Sequence, residues 1–420
     1  MNACRGWAAA GRLIRRCGPC LLLLAGAGEV PAASPPSFQD AHHHLLLDPR
    51  VTDRIAGAEL VLGQVVKHPR NPLFHADQPW ENSLNNLYPN IVDESDAGLV
   101  KLWYKCVLVD RAAIDRLVPP HTVHGVGWLL LYATSRDGVS WEKPAVGQVA
   151  WDGSSRNNAV ARDTPNVGVF RDPNPDCPQD RRYKMVYDVG LGEVHVRFSS
   201  DGVRWGPPHK ATGLTARTGD THNNAFWDQR LNKYVLVTRF VLGERLVARA
   251  ESRDFIHWEP PTLALRSTFA EGRRRQTYCM PAFPYGSGYL GLVMMYNASS
   301  DRTVDCELTW SPDSVHWQRV CPGQSFIPRG APGSCDAKCI YAQANPPVLR
   351  DGKLWCYYGG SDVEHRGWKR HCLPCVATLQ PDCFAGYGPA HPQQPARIVT
   401  QPLRLTGAPL CVTMGVEPAV

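Results

Sequence analysis

The 420-residue chain has no long run of like charge and no low-complexity tract. Those absences exclude a disordered polyelectrolyte as the bulk of the protein. It has no apolar run of bilayer length; the longest, around Leu21–Ala25, is too short to span a membrane. A stable membrane anchor is therefore not expected. The net charge of +6 is spread along the chain, so no basic patch argues for nucleic acid.

Glycine and proline are abundant, at 36 each, which suits many short strands joined by turns. Residues 1–34 read as a targeting segment. Arg5, Arg12, Arg15 and Arg16 precede a short apolar core, and Val30-Pro31-Ala32 offers a small-residue cleavage site. Secretion is the expectation, with an organellar transit peptide as the alternative. The fifteen cysteines fit an oxidising compartment, though their pairing stays open. Cys372-Leu-Pro-Cys375 has metal-like spacing but lies in a strand, where residues three apart face opposite sides. Buried thiols or a disulfide are expected there. The run His42-His43-His44 lacks a carboxylate at ligand spacing and reads as an exposed lead-in. No metal and no cofactor are expected.

The pattern Ser-x-Asp-x-x-x-Trp occurs four times, at Ser135–Trp141, Ser199–Trp205, Ser252–Trp258 and Ser311–Trp317. A degenerate copy follows at Gln380-Pro-Asp382-Cys-Phe384. The repeat is roughly 60 residues long, the scale of one propeller blade. Each turn follows two alternating strands, such as Val100–Tyr104 and Leu129–Thr134, and a shorter strand lies upstream. The unit is three clear strands with a fourth after the turn. The fold expected is all-β: a five-bladed β-propeller over 80–390 without a C-terminal β-sandwich. Residues 35–79 would be lead-in strands and 391–420 a C-terminal strand or tail. Each turn Asp should accept backbone N–H bonds, while Trp covers the gap between blades.

With this repeat, residues 40–390 resemble the five-bladed propellers of glycoside hydrolase families 32 and 43, particularly family-32-like bacterial proteins. Phe170-Arg171-Asp172-Pro173 matches the Arg-Asp-Pro motif of family 32. The resemblance implies that Asp172 bonds sugar hydroxyls and stabilises an oxocarbenium-like transition state. Two family motifs differ. Tyr88, in Asn86-Leu-Tyr88-Pro-Asn90, stands where the nucleophilic Asp would fall. Asp220 is the nearest carboxylate to the family's acid/base Glu. Those departures bring classical invertase chemistry into question.

Glycoside hydrolysis needs two carboxyl groups flanking the bond. Acids at the starts of innermost strands are therefore the candidates. Asp172, Asp220 and Glu81 are the expected catalytic residues. Trp80, Arg171, His222, Asn223, Asn224 and Asp336 are the expected substrate contacts. Asp77, Glu307 and the pair His365-Arg366 are weaker candidates. The expected partner is a carbohydrate, and the expected activity is glycosidic-bond hydrolysis of a polysaccharide or oligosaccharide. The alternatives are a non-catalytic carbohydrate-binding propeller and a sialidase-like protein. The sialidase turn usually has one more residue before Trp, that fold has six blades, and no arginine triad stands out.

Overall fold

The computed structural model of the protein describes residues 43–402 apart from 95, 96, 191, 369 and 392, together with 412 and 413. Residues 1–34, expected to be a targeting segment, lie outside the described residues. The described chain is nearly all β. Its helical pieces are single turns at Arg111–Ile114, Gln179–Arg181 and Gly272–Arg274. Among the described residues, no helix is long and apolar enough to cross a membrane.

The repeats fold as antiparallel sheets laid down in chain order. The first contains Asn90–Glu94, Leu99–Leu108, Gly127–Ser135 and Ala159–Arg162. The second contains Gly168–Arg171, Tyr183–Gly190, Glu193–Ser199 and His209–Lys210. The third contains Asn224–Asp228, Lys233–Val241, Arg245–Ser252 and Thr262–Leu265. In the fourth, Arg275–Cys279 and Ala282–Tyr285 pair one after the other with Gly288–Asn297. Val304–Ser311 and Gln318–Arg319 follow. In the fifth, Cys339–Ala342 and Val348–Arg350 pair with Lys353–Ser361, which pairs with Cys372–Leu379. Its outermost strand is Val66–Lys67, drawn from the lead-in. A parallel bridge between Val304 and Cys339 joins the fourth and fifth sheets. The chain ends also pair: Thr52–Ala56 with Arg397–Thr400, and Ala58–Leu62 with Ala385–Pro389.

Strand alternation lets each sheet fill two seams. In the third sheet Tyr234 and Leu236 pack toward the second sheet, beside Phe170, Val194 and Phe198. Val235 and Val237 pack toward the fourth, beside Met280, Ala282 and Val293. The turn aspartates act as the turn chemistry predicts. Asp137 accepts from the amides of Val139 and Ser140, and Asp201 from those of Val203 and Arg204. Asp254 and Asp313 repeat the pattern. Burial opposes ionisation of Asp254 and Asp313, but these donors outweigh it and hold both carboxyls down at about 2. The degenerate turn differs: Asp382 takes His43 at 2.7 Å and the Tyr285 hydroxyl at 2.7 Å, tying the lead-in to the C-terminal strands.

The innermost strands meet through asparagine side chains. Asn90 accepts the Val169 amide at 2.8 Å, joining the first sheet to the second. Asn224 accepts the Ala282 amide at 2.9 Å and donates to the Ala344 carbonyl, so it touches the fourth and fifth sheets. Asn345 accepts the Ile91 amide at 2.7 Å and donates to the Val169 carbonyl at 2.9 Å, returning the fifth sheet to the first and second. Gly168 holds the equivalent place in the second sheet, because a Cβ there would lie 1.8 Å from the Asn223 carbonyl oxygen.

Each clasp satisfies buried backbone groups that have no strand partner, and leaving one unsatisfied costs about 1–3 kcal/mol. Asn345→Ala exposes two such groups in the seam. It is expected to lower stability by about 2–4 kcal/mol in urea denaturation. A loss below about 0.5 kcal/mol would show that the clasp contributes nothing.

Candidate functional site

The first three sheets share one register. Asn90 lies opposite Trp103, Gly168 opposite Val186 and Asn224 opposite Val237. Two residues further along each second strand stand Lys105, Asp188 and Arg239. They are exposed by only 5%, 0% and 2%. Side chains two apart share a face, so the three sheets deliver one buried charge each from the same place. Burying three charges is costly unless they are paired or used.

They are linked through loop residues that open the innermost strands. Lys105 Nζ donates to Asn166 Oδ1 at 3.4 Å, and Asn166 Nδ2 bonds both Asp188 oxygens at 3.0 and 3.2 Å. The Asp220 amide donates to Asp188 Oδ2 at 2.8 Å. Arg239 Nη1 pairs with Asp220 Oδ2 at 2.9 Å and also bonds the Asp220 carbonyl. The Asp220 side chain remains 59% exposed. Its backbone is left-handed, with φ of 56°, a conformation aspartate tolerates better than most residues.

The fourth and fifth sheets complete a basin. Arg239 lies 4.6 Å over the Tyr278 ring and donates to the Tyr278 carbonyl at 2.8 Å. Arg245 covers Tyr278 and Tyr296 at 5.6 and 5.4 Å. Tyr278 meets His365 edge-on at 4.5 Å. Arg370 donates to His365 Nδ1 at 2.6 Å and to Asn85 Oδ1 at 2.9 Å. Tyr88 stacks on His222 with centroids 4.7 Å apart and meets Tyr341 edge-on. At one side Lys105 lies over Trp128, against which the exposed Trp368 stands edge-on at 5.5 Å.

The electrostatics follow from this crowding. Burial pushes the Asp188 carboxyl up to about 7; the Asn166 and Asp220 donors oppose the shift without cancelling it. Burial and then the Lys105 charge push His222 down to about 3, so its ring is neutral. His365 falls well below the usual histidine range through burial, then through Arg370, Arg245, Arg239 and Lys105. Burial and the charge of Arg370 lower the Lys105 ammonium to about 8. Five buried polar atoms in the cluster have no hydrogen-bond partner among the described residues: His222 Nε2, the Tyr88 hydroxyl, Asn86 Oδ1, Arg239 Nε and Arg245 Nε.

The expected site residues divide into two groups. Asp220 and His222 are brought into the basin, and Asn223 and Asn224 lie directly beneath as seam residues. Asp172 is not brought to Asp220. It follows Arg171, which pairs with Tyr183 at the start of the strand that ends beyond Asp188. Lys184 and Asp188 are four residues apart on that strand, about 13 Å. Asp172 is fully buried, held by Lys184 Nζ at 2.5 Å and the Tyr234 hydroxyl at 2.7 Å. Arg171 points to Glu94 at 3.6 Å, at that same distant end.

Glu81 is a folding hub. It accepts from the Tyr104 hydroxyl at 2.7 Å, Lys143 at 2.8 Å and the Asp77 amide at 2.9 Å. Tyr104 precedes Lys105, so Glu81 lies on the opposite face of the first sheet from the basin. Asp77 shares Lys143. Trp80 donates to Asn158 and packs on Trp151 instead of offering a sugar platform. Asp336 pairs with Lys67 at 2.5 Å and Tyr358 at 2.9 Å, fastening the last strand of the fifth sheet. Glu307 sits between Arg275 and Arg319.

His43 and His44 bond Asp382 and Ser287 as part of the lead-in packing; His42 lies outside the described residues. Cys372 and Cys375 are buried free thiols, and the Cys335 and Cys375 sulfurs lie 3.7 Å apart. No cluster of three metal-ligating side chains is present among the described residues. Two clefts, of about 430 and 240 Å3, lie away from the basin, beside Asp305–Arg329 and beside Trp310.

Two predictions follow from these placements. Asp172→Asn leaves Lys184 as an unpaired buried cation and is expected to cost about 3–5 kcal/mol in thermal or urea unfolding. Unchanged stability would contradict the buried pairing. Asp188 binds its proton more tightly folded than unfolded, so its contribution is full below about pH 4 and is lost as pH rises to about 7. Wild-type stability minus that of Asp188→Asn should therefore fall by about 1.4 kcal/mol per pH unit across that window. His222 works in the opposite sense: its contribution is present above about 6.5 and is lost as pH falls toward 3. The Asp188→Asn protein alone should thus destabilise on acidification from pH 6.5 to 4.5. A difference curve flat with pH contradicts the assignment.

No protein-family model matches the chain, and no curated protein matches it. Among solved structures, it is similar to a glycosyl hydrolase from Bacteroides ovatus, with TM-score 0.48, 16% identity, 76% of this chain and 94% of that chain covered. It is similar to an alpha-L-arabinofuranosidase from Podospora anserina in complex with cellotriose, with TM-score 0.49, 14% identity and coverage of 77% and 98%. It is also similar to a beta-1,2-mannobiose phosphorylase from Listeria innocua, with TM-score 0.49, 12% identity and coverage of 76% and 97%.

Proposed function

We propose that the chain is a five-bladed β-propeller that cleaves glycosidic bonds of a polysaccharide or oligosaccharide in the basin where its blades converge. Three four-stranded sheets and a ten-stranded sheet whose two halves meet at one parallel bridge, with bonds from the last half back to the first sheet, support the blade count. The lead segment at residues 1–34 makes secretion part of this reading.

The observation that carries the activity is the carboxyl pair Asp188 and Asp220. Cleavage needs one group to donate a proton to the leaving oxygen and another to act as base or nucleophile. Asp188 is half protonated near neutrality because it is buried. Asp220 is ion-paired with Arg239 and exposed enough to touch a ligand. Two acids whose surroundings differ this sharply match an acid/base division of labour. Trp368, exposed by 40%, supplies an aromatic face a sugar ring can pack against. Asp172, Glu81 and Asp336 act in this reading as structural residues.

A second reading, binding without cleavage, is favoured by one observation. Asp188 is fully buried with both oxygens already hydrogen-bonded, and Tyr88 stands where the resembled families place a nucleophile. Reducing-end release from a glycan panel separates the two. The hydrolase reading expects turnover per folded molecule that falls about 100-fold or more in Asp220→Asn, the folded fraction being measured because the variant also removes the carboxylate partner of the buried Arg239. Binding without release from any glycan establishes the second reading, and full activity in Asp220→Asn rejects Asp220 as the acting carboxylate.

A further inference from the structure

The basin holds more positive charge than its own acids balance. Lys105, Arg239, Arg245 and Arg370 all act on the His365 ring. Facing them from every adjoining sheet are two carboxyls, Asp188 and Asp220, the first of them buried and bonded beneath the floor. A site for a neutral sugar alone has no need of four cations, each of which costs desolvation.

Three of the four are committed. Lys105 bonds Asn166. Arg239 holds Asp220 and the Tyr278 carbonyl. Arg370 bonds Asn85, Tyr341, His365 and the Gly367 carbonyl. Arg245 Nη1 bonds Gln276 at 3.0 Å, while its Nε has no partner among the described residues. Arg239 Nε lacks a partner too, but Arg239 makes three bonds through its Nη atoms and Arg245 only one, with its unpartnered Nε buried. The Arg245 guanidinium carbon lies 5.6 and 5.4 Å from the Tyr278 and Tyr296 ring centroids, which restricts where the side chain can swing. The Nε–Nη2 edge of a guanidinium is a two-donor fork that fits the two oxygens of a planar carboxylate. Asp220 is held by Arg239 through one carboxylate oxygen only, Nη1 to Oδ2 at 2.9 Å.

We propose that the basin selects a glycan bearing a carboxylate, a uronic acid residue, and that the free edge of Arg245 receives that carboxylate while an aromatic face packs on the sugar ring. This rests on the glycan reading of the basin and narrows it to acidic sugars. Arg245 would be a specificity residue, acting on which ligand binds and not on the proton transfer.

The test is titration calorimetry of the full chain with a panel of galacturonate, glucuronate and mannuronate oligosaccharides, the methyl ester of each, and inorganic phosphate. Esterification removes the charge and keeps the sugar. The expected result is that one or more acids bind at least about tenfold more tightly than the matching ester, the gap narrowing between about 50 and 500 mM salt. Arg245→Gln should erase the gap while the ester still binds. Should that variant misfold, the acid-to-ester ratio and its salt dependence in the unmodified chain decide alone. Equal binding of acids and esters overturns the carboxylate inference and leaves the glycan reading standing. Binding of phosphate with no uronide also overturns it. Binding of no oligosaccharide, acidic or esterified, overturns both.

Discussion

The arrangement depends on how the innermost strands satisfy their backbone groups where neighbouring sheets converge. A strand at the edge of a sheet presents N–H and C=O groups with no ladder partner. Here asparagine side chains bridge the gap, at Asn90, Asn224 and Asn345, with Gly168 making a direct backbone approach in the second sheet. These clasps fix the height of each innermost strand against its neighbours. The residue two places before each clasp is then set as well. Tyr88 precedes Asn90, Asn166 precedes Gly168 and His222 precedes Asn224. The stacking of Tyr88 on His222 and the bond from Asn166 to Asp188 are consequences of that shared register.

The same register explains why charge accumulates at this end. Lys105, Asp188 and Arg239 occupy one position in three successive sheets. Apolar residues there would pack with less desolvation cost. Their retention leaves Asp188 with a proton near neutrality and His222 and His365 without one. The opposite end of the sheets carries the turn aspartates and the Asp172–Lys184 pair, all fully bonded to groups of the fold. Unpartnered buried polar atoms occur at both ends, among them the indole nitrogens of Trp141, Trp205 and Trp258 in the turns and His222 Nε2 in the basin.

Much of the repeat was legible in the sequence. The Ser-x-Asp-x-x-x-Trp turns mark a period because their geometry is local, and the alternating strands before them follow from burial on both faces. Val66–Lys67 was not legible as the last strand of the fifth sheet, since two residues carry no period and their partner lies far along the chain. In the site, Asp220–Asn224 stood out as short polar residues against an apolar strand. The Arg171-Asp172-Pro173 motif lies at the other end of its strand from Asp188, because a motif match names residues and not the direction in which the strand runs. Glu81 and Asp336 are bonded to groups of the fold away from the basin, because sequence shows an acid near a strand start but not which face it takes. Lys105, Asp188 and Arg239 could have been found by aligning the second strands of the repeats, where one column reads Lys, Asp, Arg. The arginine cluster of Arg239, Arg245 and Arg370 spans two sheets and has no signature along the chain.

The central claim is that sugars bind where the five sheets converge. Hydrogen–deuterium exchange with and without a saturating oligosaccharide tests it most directly. Protection is predicted in the segments around residues 85–88, 220–224, 239–245, 278 and 365–370, with no change around Asp172 or Glu81. Protection confined to the Asp305–Arg329 cleft or the Trp310 cleft, leaving those five segments unchanged, would contradict the account.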